Sequence, residues 1–235
     1  MRRTVVVLAA AALTVGCSGD PSGRHGAAGP SQLLVQPSTA PYSQVTAGPV
    51  RALVPDGWTA VPAHSVDDVR GGFVASPHPG AWHTVDGRTS GMAATWIDAT
   101  RVGVPSDFYY LAANGPLMSG LNDSPDCRAD RRRVFLDHRP SFADGTAGSP
   151  GDYMASAEGT CRASGGLTRW AYFVAAPGFG PVRSIGIPDS GLYVVVAVVP
   201  DASGSAATLH RIIANASFAG STVADFVAAA HAKAI

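Results

Sequence analysis

Gly191-Leu-Tyr-Val-Val-Val-Ala-Val-Val199 is the stretch that decides the fold of this chain. It is almost continuously apolar, and most of it is β-branched valine. A strand with one solvent-exposed face alternates apolar and polar residues, whereas a strand covered on both faces does not have to. The stretch therefore predicts a central strand inside a sheet that is covered on both sides.

Shorter apolar runs around this stretch predict its neighbours in the sheet. They end at Gly, Pro or Asp, the residues that begin turns, and Pro55-Asp-Gly57 is such a turn. Extended structure is predicted at Val50–Val54, Trp58–Val61, Gly72–Ala75, Gly91–Ile97, Arg132–Leu136, Gly151–Cys161 and Leu167–Val174.

Three segments carry helical signals instead. Val104-Pro-Ser-Asp-Phe108 opens a helix that Asn114-Gly-Pro116 ends. A second helix is predicted from apolar residues at helical spacing, namely Leu209, Ile212, Ile213 and Ala216. Thr222-Val-Ala-Asp225 resembles a capping box with Asp in place of Glu, and it begins a C-terminal helix over residues 221–235.

These elements together predict an α+β domain over residues 48–220, mainly an antiparallel sheet packed with helices. Pro55-Asp-Gly-Trp58 at the start of the sheet, and Leu209 to Phe218 as a closing helix after the valine-rich strand, resemble the PsbP-like α/β/α sandwich. That fold occurs in several extracytoplasmic bacterial lipoproteins. The resemblance implies accessory or binding roles and no particular activity.

The first 17 residues carry an export signal. Arg2 and Arg3 precede an apolar run, Val5–Leu13, and a small residue, Gly16, stands before Cys17. This order is typical of a secretory signal peptide. The run is well short of the roughly 20 residues that span a bilayer, so a permanent transmembrane helix is the weaker interpretation.

Leu13-Thr-Val-Gly-Cys17 resembles the lipobox of bacterial lipoproteins, although Thr14 stands where the family usually has Leu. The resemblance implies cleavage after Gly16, which removes residues 1–16, and acylation of Cys17 with diacylglyceryl and fatty-acyl chains such as palmitate. Two or more chains give stable anchoring in a membrane. The alternative is an ordinary cleaved signal peptide followed by an unmodified cysteine.

Residues 17–47 are predicted to form a flexible tether between the lipid and the domain. They are rich in Ser, Gly, Pro, Ala, Gln and Thr, and this composition buries too little apolar surface to offset the entropy of ordering. Leu33-Leu-Val35 is the one apolar run, and it is interpreted as a loose contact rather than a strand.

The remaining cysteines, Cys127 and Cys161, are predicted to form a disulfide, since an even pair in an exported protein is oxidised. No CxxC motif suggests redox chemistry, and two isolated cysteines make no zinc site alone.

The net charge of the chain argues against electrostatic binding to nucleic acid or to an anionic membrane. The chain has 17 Lys and Arg against 17 Asp and Glu, so a strongly basic nucleic-acid binder is not indicated. Loss of Arg2 and Arg3 with the signal peptide leaves 15 basic and 17 acidic side chains, a net charge of −2. Attachment to an anionic membrane must then come from the lipid.

The chain has one lysine and one glutamate, Glu158, beside 16 arginines and 16 aspartates, a bias that a GC-rich coding sequence explains. Arg131-Arg132-Arg133 is therefore interpreted as a solvated strand edge, paired with Asp130 and Asp137, in preference to an anion site.

Motifs for common catalytic chemistry are absent from the sequence: no Gly-x-Ser-x-Gly, P-loop, Rossmann glycine pattern, HExxH or EF-hand loop occurs. No catalytic residue, cofactor or metal is predicted. His78 and His83 are interpreted as exposed loop histidines, with a shared metal ion as the alternative. Trp170, Tyr172 and Phe179 are candidates for lining a ligand groove, although aromatic residues on strands usually belong to the core.

The sequence thus predicts a lipid-anchored accessory or binding lipoprotein on the outer face of a bacterial cell membrane. Its partners would be the membrane, through the lipid, and either a cell-envelope protein or a small apolar ligand. Two alternatives remain open. One is an envelope hydrolase that joins His138 or His83 with Asp152, and the other is a structural or assembly protein.

Overall fold

A computed structural model of the chain describes residues 33–38, 41–63, 69–79, 87–98, 125–137, 153–175 and 191–233. Twelve strands and two helices lie in these ranges. The strands are β1 Leu33–Pro37, β2 Tyr42–Ala47, β3 Val50–Pro55, β4 Thr59–Pro62, β5 Val69–Ser76, β6 Gly91–Asp98, β7 Cys127–Asp137, β8 Tyr153–Ala163, β9 Gly166–Ala175, β10 Gly191–Pro200, β11 Ser217–Phe218 and β12 Ser221–Thr222. The helices are α1 Ser205–Ala214 and α2 Val223–Lys233.

The valine-rich stretch forms β10, the fourth strand of a seven-stranded antiparallel sheet with the order β4-β5-β6-β10-β9-β8-β7. Every residue from Tyr193 to Val199 is buried. Successive side chains of a strand point to opposite faces, so both faces of the sheet are covered at this strand. The prediction of a central strand covered on both sides is confirmed.

The fold is mainly antiparallel sheet with helices, as the sequence predicts, but the described residues form two sheets rather than one. The second sheet has the order β1-β2-β3-β11-β12. Its β3 contacts β5 and β6, and α1 contacts β3 as well as β9 and β10. Arg211 on α1 also lies over the ring of Tyr42 on β2, 5.0 Å from its centroid.

The folded region begins earlier than the sequence analysis placed it. Residues 33–37 and 42–47 fall within the predicted tether, and Leu33–Val35 is predicted as a loose contact, but β1 pairs with β2 and β2 pairs with β3 along their whole lengths. Tyr42, Val45 and Ala47 are buried in the core. Pairing with β3 supplies backbone hydrogen bonds, which compensate for the polar composition of these strands.

Both predicted helices are present. However, α1 ends at Ala214, so Ala216 lies beyond it, and Phe218, predicted as the end of the closing helix, belongs to β11. Leu209 and Ile212 are the buried apolar residues of α1. The capping box at the start of α2 is confirmed: the amide of Thr222 donates to Oδ2 of Asp225 at 2.8 Å, and the amide of Asp225 donates to Oγ1 of Thr222 at 3.3 Å. The pKa of Asp225 is lowered by the hydrogen bond from the Thr222 amide and by a second one from the Thr222 hydroxyl, which also donates to Oδ2 at 2.8 Å. The helix predicted after Val104 lies outside the described residues.

An aromatic cluster joins α2 to the larger sheet. The Phe226 ring lies with its centroid 6.1 Å from those of Phe173 and Tyr193, and 6.2 Å from that of Phe218. Tyr193 and Phe218 are closer still, at 4.7 Å. All four rings are almost fully buried. This cluster holds the last helix on the helical face of the sheet.

The Tyr193 hydroxyl is buried in this cluster and has no hydrogen-bond partner among the residues that the structure describes. Its burial raises the pKa of Tyr193 to about 12, so the ring stays neutral at physiological pH. We expect Tyr193→Phe to keep the packing and to raise the free energy of unfolding by about 1 kcal/mol, because it removes an unpaired polar group. Tyr193→Leu, which changes the shape of the side chain, should destabilise the protein. Urea denaturation measures both, and a destabilised Tyr193→Phe variant would contradict the assignment.

β7 is the last strand of the described sheet, and its pairing with β8 is irregular. The register shifts between Ala129 and Arg131 and again between Val134 and Leu136, so Asp130 and Phe135 are extra residues in two bulges. Arg131, Arg132 and Arg133 are exposed. The predicted solvent exposure of these arginines is confirmed. Asp130 accepts from Arg128 at 2.9 Å, and Arg131 is paired with Glu158 rather than with an aspartate.

Candidate functional site

A groove of about 300 Å³ lies beside β7, β8 and β9 and is bordered by α1 and the first residue of α2. We call it the β7–β9 groove. Its polar lining is Arg131, Arg133, Ser156, Glu158 and His210, and its apolar lining includes Ala157, Ala171, Ile213, Ala214 and Val223. A polar rim around apolar walls is the usual construction of a small-ligand site, and this volume is at the lower end for such sites.

Strand pairing brings the polar groups of the groove together. Arg131 is paired with Glu158, and Arg133 is paired with Ser156. On the other side of β8, Glu158 is paired with Ala171 of β9. Directly paired residues share a face of the sheet, so these side chains all point to the face that carries the helices.

Glu158 is the centre of the polar rim. Its Oε1 lies 3.4 Å from Nε of Arg131, and its Oε2 lies 2.9 Å from Nε2 of His210. His210 lies on α1, so the carboxylate links the edge of the sheet to the helix. The Arg131 and His210 side chains are more than half exposed, at 58% and 63%. Exposed pairs of this kind contribute little to folding stability, so they leave the rim adaptable.

Arg133 differs from Arg131 and His210, the two rim residues that are paired with Glu158. Within the described residues it has no ion pair or hydrogen bond, although Arg133 lines the same groove as the Arg131–Glu158 pair. Glu158 balances the charge of Arg131. One positive charge therefore remains without a counter-charge beside the apolar wall that α1 and α2 supply.

The two predicted ligand residues on β9 have different positions. Trp170 has no exposed surface and belongs to the core, where its ring is stacked on that of Tyr172 with centroids 5.9 Å apart. Tyr172 does border the groove. Because the stacked rings occupy the face of β9 opposite Ala171, Tyr172 meets the groove with its main chain. Phe179, the third candidate, lies outside the described residues.

The predicted disulfide between Cys127 and Cys161 is present. These cysteines are directly paired in the register of β7 and β8, with Cα atoms 4.0 Å apart. The bridge therefore fixes the register of the two strands at one end, and the paired arginines and Glu158 follow along the same ladder. It positions the groove without belonging to it.

Several other predicted sites cannot be placed. Cys17, His83, His138 and Asp152 lie outside the described residues, and His78 is exposed. In the described ranges, no group of three or more His, Cys, Asp or Glu side chains is arranged to hold a metal ion. Neither of the two described helices is long and apolar enough to cross a membrane.

Sequence reasoning missed the groove because it considered Arg131 and Arg133 separately from Glu158. A signal was available, since Glu158 is the only glutamate in a chain that otherwise uses aspartate. Arg131 and Arg133 also share one face of their strand by simple alternation. What the sequence does not reveal is that β8 pairs with β7 in the register that places Glu158 opposite Arg131.

No protein-family model matches this chain, and no curated protein matches it either.

Proposed function

We propose that this protein is a lipid-anchored accessory lipoprotein of the bacterial cell envelope that binds a small ligand in the β7–β9 groove. The groove is the observation that carries the binding role, because it combines apolar walls with a charged rim on a rigid sheet. The partners are then the membrane, through the acylated Cys17, and a small molecule in the groove. Nothing in this role requires catalysis.

The proposed location rests on two observations. The Cys127–Cys161 disulfide is consistent with an oxidising, extracytoplasmic compartment. Leu13-Thr-Val-Gly-Cys17 carries the features of a lipoprotein processing site, which supplies the anchor. The lipid would hold the protein on the outer face of the membrane, with the residues before β1 as a tether.

We further propose that residues 48–220 are built on the PsbP-like sandwich. The antiparallel seven-stranded sheet, with α1 on one face and both faces covered at β10, supports this proposal. β1 and β2 would then be an addition at the N-terminal side of that fold.

The anchor is tested by fatty-acid incorporation in a bacterial host. Cells that express the full chain are fed an alkyne-tagged fatty acid, and the purified protein is probed for the tag. We expect the wild type to be labelled and Cys17→Ser to lose the label completely, because the acylated sulfur is gone. This readout does not depend on whether the signal peptide of the variant is cleaved.

The matched control is the double variant Cys127→Ser/Cys161→Ser, which removes two cysteines but keeps Cys17. It should retain the label. A Cys17→Ser protein that still carries the tagged fatty acid would overturn the proposed anchoring.

A further inference from the structure

We propose that the β7–β9 groove selects a small organic anion: a single carboxylate on a compact apolar body. This inference rests on the proposed binding function and names the chemical class of its ligand. Arg133 would receive the carboxylate, and the apolar body would lie against α1 and the start of α2.

The charges of the rim point to one negative group on the ligand. Both oxygens of Glu158 are engaged, one by Arg131 at 3.4 Å and the other by His210 at 2.9 Å. The carboxylate of Glu158 thus compensates Arg131 and leaves Arg133 as the positive charge with no partner among the described residues. A guanidinium binds a carboxylate through two parallel hydrogen bonds, so a monoanion would complete this rim.

The walls point to an apolar body of limited size. Ile213, Ala214 and Val223 are the apolar helix residues that line the groove, and Ala171 is the apolar residue that lines it on β9. A volume of about 300 Å³ accommodates a single ring or a short hydrocarbon chain rather than a long acyl chain. A doubly charged ligand would bring its second charge toward Glu158, which repels it.

The electrostatics also exclude a cation as the preferred ligand. Glu158 is the acidic residue that lines the groove, and its charge is already shared by two partners. Binding a cation would require these contacts to break and would place a second positive charge near Arg131 and Arg133. Anion selectivity is therefore built into the pairing of β7 with β8.

The test uses three ligands of one shape: cyclohexanecarboxylate, cyclohexylmethanol and cyclohexylmethylammonium. The full chain is purified from a bacterial host in mild detergent, which keeps it in solution with or without the lipid. Detergent buffer serves as the blank, and binding is followed by the δ1-methyl NMR signals of isoleucine. We expect a saturable shift of the Ile213 signal with the carboxylate and at least fivefold weaker binding of the alcohol and the ammonium.

Two variants assign the selectivity to Arg133. Arg133→Gln should weaken carboxylate binding about fivefold and leave binding of the alcohol unchanged, because it removes the unpaired charge but keeps the walls. The matched control is Arg132→Gln, which makes the same change of net charge one residue away on the opposite face of β7. It should bind the carboxylate like the wild type.

Three results would overturn the inference. One is the absence of any Ile213 shift with the carboxylate up to its solubility limit. Another is equal weakening by Arg132→Gln and Arg133→Gln, which would reveal a general surface-charge effect. The third is tighter binding of the alcohol or the ammonium; this result would reject the anion while leaving a ligand-binding groove. Each is independent of the fatty-acid label on Cys17, so the anchor and the ligand class can fail separately.

Discussion

Phe226→Ala is expected to lower the free energy of unfolding by about 3–5 kcal/mol, the usual loss when a buried phenylalanine is truncated. The Phe226 ring is 2% exposed and contacts Phe173, Tyr193 and Phe218. Alanine removes these contacts and leaves a cavity between α2 and the sheet, where the surrounding rings can only partly collapse. Urea denaturation of the purified protein, followed by tryptophan fluorescence, measures the change.

Phe226→Leu is the control for this loss, since it keeps an apolar side chain of intermediate size and should cost less than alanine. Hydrogen exchange adds a local readout. Relative to the wild type, Phe226→Ala should speed the exchange of the α2 amides more than that of the β10 amides. If the alanine variant were as stable as the wild type, the aromatic cluster would not be what holds α2 on the sheet.

Removal of the disulfide should have an effect of similar size. For Cys127→Ser/Cys161→Ser we expect the free energy of unfolding to fall by about 3–4 kcal/mol, because the bridge closes a loop between residues 34 positions apart and restricts the unfolded chain. β7 and β8 also lose the covalent bond that joins them at one end. The measurement is the urea midpoint of the double variant against that of the wild type.

Reduction of the wild type provides an independent check. Dithiothreitol should shift the wild-type midpoint toward that of the double serine variant and should leave the variant itself unchanged. Cys17→Ser should keep the wild-type midpoint, because Cys17 lies far outside the bridged strands in sequence. A wild-type midpoint that dithiothreitol does not move would contradict the predicted contribution of the bridge.

The sequence predicted the larger sheet well because its signals are local. The valine-rich run of β10, the Pro55-Asp-Gly57 turn and the capping residues Thr222 and Asp225 each act within a few positions along the chain. In the turn, the amide of Trp58 donates to the carbonyl of Pro55 at 3.2 Å, and Gly57 has a φ of 83°. Such features can be recognised without knowledge of the rest of the fold.

The first two strands could not be predicted in the same way. β1 and β2 have the composition of a flexible segment, and they are stabilised by pairing with β3 and by burial of Tyr42 and Val45. A local signal did exist at the hairpin, where Gly48 and Pro49 form a two-residue turn and Gly48 has a positive φ of 58°. This turn predicts a hairpin only if a strand is recognised before it. The polar residues of that segment hide the strand pattern.

The candidate site was the least predictable part of the molecule. Arg131, Glu158 and His210 come from three separate elements, and their contacts depend on strand register and on the packing of α1. Charged residues on a surface carry no periodic signal that reveals their partners. Of the aromatic residues that were candidates for lining a ligand groove, Trp170 lies in the core instead.

The two bulges of β7 would have a consequence if the proposed lipid anchor concentrates the protein on a membrane surface. Molecules confined to a membrane meet each other often and in one orientation, which favours the joining of open sheet edges into fibres. An edge that is bent by extra residues at Asp130 and Phe135 offers no continuous row of amides and carbonyls to a neighbour. The repulsion between arginines on adjacent copies adds to this barrier. The irregular border of the described sheet would thus let crowded copies remain separate.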